Sequence, residues 1–273
     1  MASLIVDEQK CNKCGMCAAE CVVCIIQIAE KETLPSWGDG AQDQCINCGH
    51  CVAVCPTGAL ELSTMPLEKC VPITKDLKTT PEQIEQFLKS RRSIRACKEK
   101  PVEHEKLAKL IDIARYAPSG HNQQPVQWLA IEKREDVQRL AQMTIDWVRE
   151  LIQKDPAFAE MLQAEALVLG WDFGIDVITH GAPHLVFAHA QKDSAPLGDC
   201  HIALTYLELA AHSMGIGACW AGFIQVAATY DPAFAQALQL PEDHASFGAM
   251  MIGYPKYKFS HIPTRNDAQI IWS

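Results

Sequence analysis

The sequence lacks the features that would assign it to several large classes of protein. None of its apolar runs is long enough to cross a bilayer. An acidic residue, Asp7, comes too early in the chain for a signal peptide. Positive charge is in deficit, since the formal net charge is −9, and this argues against nucleic acid or an anionic membrane as the main partner. We therefore expect a cytoplasmic protein with no nucleic-acid partner and no membrane partner.

Cysteine, in contrast, is abundant and unevenly placed. Nine of the thirteen cysteines lie between Cys11 and Cys55, and four are scattered over the rest of the chain. In a chain expected to be cytoplasmic, such short spacings indicate metal or redox chemistry rather than disulfides. Residues 1–70 also hold nine acidic and four basic side chains, a net charge of −5. The change in composition predicts a domain boundary near residues 65–80.

The cysteines form an internal repeat. The pattern C-x2-C-x2-C-x3-C starts at Cys11 and again at Cys45, so that each cysteine recurs 34 residues later. This pattern resembles that of bacterial two-cluster ferredoxins, in which the fourth cysteine of one motif ligates the other cluster. The resemblance implies that one [4Fe–4S] cluster is bound by Cys11, Cys14, Cys17 and Cys55. It implies that a second [4Fe–4S] cluster is bound by Cys45, Cys48, Cys51 and Cys21.

Other interpretations of these cysteines stay open. Zinc also binds C-x2-C pairs, although usually as separated pairs, and disulfides would not require a repeat. The first motif departs from the ferredoxin pattern at one position, because Cys21 is followed by Val22 and not by proline. Cys24 is an additional thiol near this motif, interpreted as an apolar filler, with an extra ligand as the alternative.

Beyond the cysteines, the pattern changes to alternating helices and strands. Several prolines predict a linker over 71–80 between a domain of residues 1–70 and a domain of residues 81–273. Thr80, Pro81 and Gln83 predict a capped helix start. Helical patterns follow at 103–116, 134–152, 156–168 and 198–214, and strand-like runs at 128–132, 185–189 and 246–253. This order predicts an α+β domain with a sheet covered by helices.

Four segments of the second domain have compositions that suit a ligand. Residues 91–95 place three guanidinium groups and a hydroxyl within five positions, which suits a phosphate. The turn-rich loop at 117–125 carries amide side chains. The glycines of 215–223 let the backbone approach a planar ligand, and residues 253–265 add further basic side chains. Each segment alone has a plainer interpretation, as a solvated basic cluster, a turn or the end of a helix.

In this order the four segments resemble the FMN-dependent nitroreductase family, over about residues 80–270. The resemblance implies a set of residues that contact the FMN phosphate: Arg91, Arg92, Ser93, Arg95 and Arg265. It implies a second set at the ring and ribityl chain: Pro118, Ser119, Gly120 and Asn122. A third set is implied to lie against the isoalloxazine: Cys219, Trp220, Ala221 and Gly222. The family is typically a homodimer with FMN at the interface.

The whole chain resembles the family branch with an N-terminal ferredoxin module. The predicted fold class is α+β, a nitroreductase-like FMN-binding sheet-and-helix domain with a small N-terminal ferredoxin-type iron–sulfur domain. We expect an FMN-dependent oxidoreductase that passes electrons through two [4Fe–4S] clusters and FMN to a small-molecule acceptor such as a nitroaromatic or a quinone. No catalytic side chain is assigned, because the flavin carries the redox chemistry.

The electron donor is expected to be a ferredoxin or NAD(P)H. No G-x-G-x-x-G fingerprint is present, so we expect no separate Rossmann domain. Two alternatives to this function stay open. One is an electron-transfer or regulatory flavin-binding protein without turnover of its own. The other is FMN-dependent reductive dehalogenation or ring reduction.

Overall fold

A computed structural model describes residues 2–30, 33–194 and 196–273 of the chain. Its contacts divide the chain into two compact units. The N-terminal unit comprises Met1–Lys78 together with Ser119–Gln123, and the C-terminal unit comprises Thr79–Pro118 and Gln124–Ser273. That residues 1–70 and 81–273 form two domains joined by a linker stays a prediction. The inclusion of Ser119–Gln123 in the N-terminal unit was not anticipated from the sequence.

The N-terminal unit consists of short helices and two small antiparallel sheets. Its elements are β1 (Leu4–Val6), α1 (Met16–Ala19), β2 (Ile26–Gln27), β3 (Ser36–Trp37), α2 (Ala41–Gln44), α3 (His50–Ala53) and β4 (Leu60–Leu62). Strand β1 pairs with β4, and β2 pairs with β3. A buried core of Ile25, Ile26, Val52, Leu60 and Leu62 lies between these elements. Because this core is small and the strands have two or three residues, the unit has little apolar burial to stabilise it.

The sequence repeat is also a structural repeat. Helix α1 and helix α3 lie 34 residues apart, and each is preceded by a glycine with positive φ. These residues are Gly15, with φ 78°, and Gly49, with φ 72°. A side chain at Gly49 would also meet the Met65 sulfur at 2.6 Å. Glycine is favoured there by the backbone conformation, and a larger residue would also displace the flexible end of the Met65 side chain.

The C-terminal unit contains the remaining helices and a four-stranded sheet. Its helices are α4 (Pro81–Ser90), α5 (His104–Ala114), α6 (Arg134–Lys154), α7 (Pro156–Met161), α8 (Ala164–Asp172), α9 (Leu197–Ser213), α10 (Gly222–Tyr230) and α11 (Pro232–Ala237). Its strands are β5 (Gln127–Ile131), β6 (His184–Gln191), β7 (Gly217–Trp220) and β8 (His244–Gly253). The strand order is β5-β6-β8-β7, and all neighbouring strands are antiparallel.

Both faces of this sheet are covered by helices. Along β6, Val186, Ala188 and Ala190 pack into one buried cluster with residues of α5 and α9. The alternate residues Leu185 and Phe187 pack into a second buried cluster with residues of α6 and α10. Successive strand side chains point to opposite faces. The continuous apolar run of β6 is therefore explained by burial on both sides.

The predicted helices and strands of this unit are confirmed, with ends that differ by a few residues, except for the single helix predicted over 156–168. This segment forms two helices, α7 and α8, because Gln163 between them takes a positive φ of 53°. The capping box at Thr80 and Gln83 is present, with the Gln83 amide bound to the Thr80 hydroxyl oxygen at 3.2 Å. The glycine-rich segment 215–223 contains β7, which ends at Trp220, and the start of α10 at Gly222. Within the described ranges, no helix has the length and apolar character needed to span a bilayer.

A buried histidine links the sheet to the chain before α5. His184 is 2% exposed, and its Nε2 accepts a hydrogen bond from the Val102 amide at 2.9 Å. Its Nδ1 lies 2.9 Å from the Glu132 carbonyl oxygen, to which only a protonated Nδ1 can donate. The ring is therefore neutral, with its proton on Nδ1. Burial lowers the pKa of His184 below its ordinary value.

We predict that acid destabilises the C-terminal unit partly through His184. The unfolded chain takes up a proton near pH 6.5, about the ordinary histidine pKa, while the folded chain resists it, so the free energy of unfolding falls as pH decreases through this range. The variant His184→Gln should be less stable at neutral pH but lose less stability between about pH 7.5 and pH 5.5. Denaturant unfolding at the two pH values measures this. His261→Gln, in the exposed tail, is the control, and identical pH slopes for wild type and His184→Gln would contradict the prediction.

Candidate functional site

One small cavity of the N-terminal unit is lined by Cys11, Cys14, Cys17 and Cys55. Cys17 is buried, and burial raises the pKa of its thiol. Burial also acts to raise the pKa of the Cys55 thiol, but hydrogen bonds outweigh it and lower this pKa overall. Among these donors, the Ala59 amide lies 3.3 Å from the Cys55 sulfur. The fold therefore provides one thiol with donors that stabilise the thiolate.

A second small cavity is lined by Cys21, Cys45, Cys48 and Cys51. Burial raises the pKa of the Cys51 thiol to about 11, and negative charge on the neighbouring cysteines acts in the same direction. Four thiolates in one cavity repel each other, and burial further disfavours the charged form of Cys51, so the set requires a positively charged occupant. Each cavity thus contains three cysteines of one motif and the fourth cysteine of the other.

The donor set of each cavity fits a [4Fe–4S] cluster. Four thiolates are the ligands that such a cluster uses, and the exchange of the fourth cysteine is the arrangement of two-cluster ferredoxins. Among the described residues, no group of three His, Cys, Asp or Glu side chains converges closely enough to hold a single metal ion.

Cys24 lies outside this arrangement. It does not line either cavity, and its side chain is exposed. Its backbone has a positive φ of 54°, and its amide donates to the Cys21 carbonyl at 2.8 Å. The interpretation of Cys24 as an apolar filler does not fit this exposed position.

In the C-terminal unit, residues 93–98 run along the edge of the sheet. The Ile94 amide donates to the Ala218 carbonyl at 3.0 Å, so this segment lies beside β7. The Lys98 amide donates to the Tyr254 carbonyl at 2.8 Å. A side chain at Gly217 would meet Ile94 at 2.7 Å, so glycine is needed for the close approach.

This edge pairing forms one wall of a cavity of about 530 Å³. Five basic side chains line the cavity: Arg91, Arg92, Lys98, Lys256 and Lys258. The only acidic residue of the lining, within the described part of the chain, is Glu208. Because basic side chains outnumber acidic ones, the cavity favours an anionic ligand. Of the residues predicted to contact a phosphate, Arg91 and Arg92 are brought together here.

Glu208 lies on α9 and is 7% exposed. Its Oε1 accepts a hydrogen bond from Arg91 Nη1 at 2.8 Å. Burial raises the pKa of the Glu208 carboxyl, and the Arg91 charge opposes this only in part. Next to it, His212 Nε2 lies 3.1 Å from the Ser90 hydroxyl, and burial, followed by the Arg91 charge, lowers the pKa of His212. The carboxylate fixes the Arg91 guanidinium against the wall of the cavity.

Arg92 has an unsatisfied donor. Its Nη1 donates to the Arg91 carbonyl at 2.8 Å. Its Nε is buried and has no hydrogen-bond partner among the residues that the structure describes. A buried donor without an acceptor costs about 1–3 kcal/mol, and a phosphate oxygen would supply the acceptor. This observation fits a phosphate-bearing ligand in the cavity.

The other predicted phosphate contacts lie elsewhere in this unit. Ser93 and Arg95 lie near the buried thiol of Cys219. Burial raises the pKa of this thiol, while the Arg95 charge and the Ser93 hydroxyl act to lower it. Neither Ser93 nor Arg95 lines the cavity. Arg265 lies in the exposed C-terminal tail, which has no regular structure. The structure thus brings two of the five predicted phosphate residues into the basic cavity.

The residues predicted to contact the flavin ring fall into two groups. Cys219 and Ala221 are buried at the end of β7, while Trp220 and Gly222 beside them are exposed. Pro118 belongs to the C-terminal unit, whereas Ser119, Gly120 and Asn122 belong to the N-terminal unit. The Asn122 side-chain amide donates to the backbone carbonyls of Ile46 and Asn47.

Several residues of the basic cavity were not predicted from the sequence. Lys256 and Lys258 follow β8 in a segment whose basic character was noted, but Lys98, Glu208 and His212 carried no motif. The sequence marks Glu208 only by its position, as an acidic residue inside the largely apolar helix α9. That signal does not indicate a partner, because Arg91 lies 117 residues away in the chain.

Together the units define a two-module protein, an α+β sheet domain with a basic cavity and a domain with two four-cysteine cavities. Residues 88–254 match the model of the nitroreductase family, and residues 7–61 match that of a 4Fe-4S dicluster domain. The first match covers more than half of the chain, so the chain belongs to the nitroreductase family. These matches confirm the predicted fold class and the predicted class of nitroreductase-like oxidoreductase with an iron–sulfur domain.

Two solved structures and one protein of similar sequence resemble the nitroreductase part of the chain. A nitroreductase from Bacteroides fragilis, crystallised with FMN, has a TM-score of 0.56 and 21% identity, covering 71% of this chain and 100% of that one. The same values hold for an FMN-bound nitroreductase from Desulfitobacterium hafniense. A Methanothermobacter thermautotrophicus protein, named for NADH dehydrogenase and NAD(P)H nitroreductase, is 24% identical over 66% of this chain and 81% of its own length. At this identity the likeness shows a common fold.

We predict about eight iron atoms per chain after anaerobic purification, from two four-iron clusters. The variant Cys45→Ala should lose about half of this iron, because it removes a ligand of one cavity only. The matched control is Cys24→Ala, which removes an exposed thiol outside both cavities and should retain wild-type iron. Metal and sulfide analysis measures the outcome. Stoichiometric zinc with little iron, or equal loss of iron in both variants, would contradict the assignment.

Proposed function

We propose that this chain is an iron–sulfur flavoprotein oxidoreductase that passes electrons from a donor, by way of two [4Fe–4S] clusters and FMN, to an organic acceptor. The observation that carries this proposal is the pair of separate four-cysteine cavities in a chain of the nitroreductase family. A protein that only reduced its substrate with hydride from NAD(P)H would not need such a module. We propose a cytoplasmic location, because all thirteen cysteines are free thiols and the cytoplasm is a reducing compartment.

FMN is the flavin that fits the C-terminal unit. Two structures of the same fold contain it, and the basic cavity offers Arg91, Arg92 and three lysines to a phosphate. The buried Arg92 Nε, which has no partner in the described part of the chain, supports a phosphate acceptor at this place. FMN supplies the ability to exchange electrons singly or as hydride. We propose that Ser93, Arg95 and Arg265 also contact the FMN phosphate, with a smaller contribution than Arg91 and Arg92.

The chain's own residues would bind and orient this cofactor. Glu208 holds the Arg91 guanidinium in place at 2.8 Å, so that less side-chain entropy is lost when a phosphate binds. The backbone between β7 and α10, including Ala221 and Gly222, is proposed to lie against the ring. Pro118, Ser119, Gly120, Asn122, Cys219 and Trp220 also stay proposals for the ring and ribityl chain. A ferredoxin or NAD(P)H is the proposed donor, and a nitroaromatic or quinone the proposed acceptor.

Turnover distinguishes this proposal from its alternatives. Steady-state reduction of a nitroaromatic or quinone by the purified holoprotein would support an oxidoreductase. A protein that loads with flavin and clusters but reduces no acceptor would instead support an electron-transfer or regulatory role. Release of halide from a halogenated aromatic would support dehalogenation.

We also propose a homodimer, because α9 carries apolar residues on all sides. Its inner face is buried in the core, with Leu204 and Leu207. On its outer face Ile202 and Tyr206, one helical turn apart, are 40% and 38% exposed. The C-terminal tail exposes Phe259, Ile271 and Trp272. Apolar surfaces of this kind are typical of a face that a second subunit covers.

We predict that Arg92→Ala weakens FMN binding much more than riboflavin binding. Charge-assisted hydrogen bonds are worth about 1.5–3 kcal/mol each, so the affinity for FMN should fall by about tenfold to a hundredfold. Riboflavin has no phosphate and should be affected little. Fluorescence titration of flavin-free protein with each flavin measures both affinities.

The matched control for this prediction is Arg139→Ala. Arg139 lies on α6, half exposed and close to Asp136, and it does not line the basic cavity. Its replacement should leave both affinities unchanged. Equal loss of FMN and riboflavin affinity in Arg92→Ala would show that Arg92 has no role at the phosphate.

We predict that Cys48→Ala uncouples the flavin from one-electron donors. The variant should lose the second cluster but retain FMN, because the basic cavity contains no residue of 1–70. Reduction of the flavin by dithionite should survive, while reduction by reduced ferredoxin should slow severely. Stopped-flow absorbance under anaerobic conditions measures both rates, with Cys24→Ala as control. A wild-type rate with ferredoxin would show that the second cluster is not an obligatory relay.

A further inference from the structure

The loop Ser119–Gln123 binds directly to the turn between two cluster cysteines. This turn, Ile46–Asn47, connects Cys45 to Cys48 at the second four-cysteine cavity. Asn122 Nδ2 donates to the Asn47 carbonyl at 2.9 Å and to the Ile46 carbonyl at 3.3 Å. Both contacts lie within the N-terminal unit. A side chain more than seventy residues away in the chain therefore binds the backbone of a predicted cluster loop.

The turn is held from two sides. Asn47 has a positive φ of 52°, and its side-chain oxygen accepts from the Thr64 hydroxyl at 2.6 Å. Asn122 also has a positive φ of 53°, a conformation that asparagine adopts more readily than most residues. Both partners of this contact are thus asparagines in the left-handed region, and the Asn122 amide points at the turn.

The repeat provides an internal comparison. The equivalent turn of the first motif is Asn12–Lys13, and Lys13 has a positive φ of 58°. There the Asn12 side-chain oxygen accepts a hydrogen bond from the Cys14 amide at 3.3 Å. At the equivalent position of the second motif stands Ile46, which has no acceptor in its side chain. Within the described residues, the Cys48 amide has no such acceptor.

The two turns therefore differ in the donor strength of their amides. In the first, a side chain competes for the Cys14 amide. In the second, the Cys48 amide is available, and Asn122 donates to the carbonyl of the same peptide group, the Asn47–Cys48 peptide. A hydrogen bond to a carbonyl polarises its peptide and strengthens the amide as a donor. Donors near cluster sulfurs stabilise the reduced cluster, which carries more negative charge, and raise its reduction potential.

We propose that Asn122 is a positioning residue that raises the reduction potential of the second [4Fe–4S] cluster above that of the first. This inference rests on the proposed function for the presence of both clusters. Asn122 acts through the peptide backbone of the Cys45–Cys48 turn and not as a cluster ligand. Electrons that enter the module then collect on the cluster bound by Cys21, Cys45, Cys48 and Cys51. The loop that sets this preference is covalently continuous with the nitroreductase unit on both sides.

The test is an anaerobic potentiometric titration of the holoprotein followed by EPR. In the wild type we expect two cluster signals with separate potentials. In Asn122→Ala the higher of the two reduction potentials should fall. At a fixed solution potential, the ratio of reduced to oxidised second cluster should then decrease by about three- to tenfold. A tenfold change corresponds to 59 mV for a one-electron couple. Asn122→Asp, which keeps the shape but loses the donors, should shift the same signal in the same direction.

Two controls separate this role from a structural one. Gln123→Ala removes a neighbouring exposed amide and should leave both potentials unchanged. Asn12→Ala frees the Cys14 amide and should raise the lower potential, bringing the two clusters together. This second variant does not alter the 119–123 loop, so it tests the hydrogen-bond argument even where Asn122 variants fold poorly.

Unchanged potentials in both Asn122 variants would overturn the inference, and loss of FMN without a change of potential would assign Asn122 to the flavin instead. An unchanged lower potential in Asn12→Ala would overturn the argument from the repeat. Absence of iron from the wild type would contradict the proposed function itself, which distinguishes that failure from failure of this inference.

Discussion

The backbone pairing of residues 93–98 with the sheet is the constraint on which the C-terminal unit's cavity depends. Ile94 binds Ala218 on β7, and Lys98 binds Tyr254 just after β8. The chain continues from α4 into this edge segment, so the pairing fixes the position of Arg91 and Arg92 relative to α9. Gly217 makes the pairing sterically feasible, because any side chain there would collide with Ile94. Basic residues from separate parts of the chain thereby line one cavity.

The N-terminal unit depends on a different constraint. Its strands are two or three residues long and its apolar core is small, so secondary structure alone gives it little stability. Eight cysteines are held instead around two cavities, where four neighbouring thiolates would repel each other without a cation. Folding and cluster binding are coupled in such a module, because the ligands need the metal and the metal site needs the fold.

Much of the fold was predictable because its signals are local. The capping box at Thr80 follows from residues three positions apart, the strand at 185–189 from a short apolar run, and the helix at 198–214 from a long apolar segment that ends before Gly215. None of these signals needs knowledge of distant residues. The family matches confirm the nitroreductase and dicluster assignments made from motifs. The placement of Asn122 was not predictable in the same way. Its loop motif suggested a ligand contact, whereas in the structure its amide binds the turn at Asn47.

The sequence by itself determined the chemistry that this protein carries. Cysteine spacing, the repeat of 34 residues and the order of the glycine-rich and basic segments can be read along the chain without its three-dimensional structure, and the ligand type follows from them. Only the tertiary structure decided that Glu208 fixes Arg91, that Lys98 and Lys256 share a cavity with Arg92, and that Asn122 binds a cluster loop. These partners are brought together by sheet pairing and loop packing between segments far apart in the chain. No local pattern specifies which distant backbone group will lie within hydrogen-bond distance.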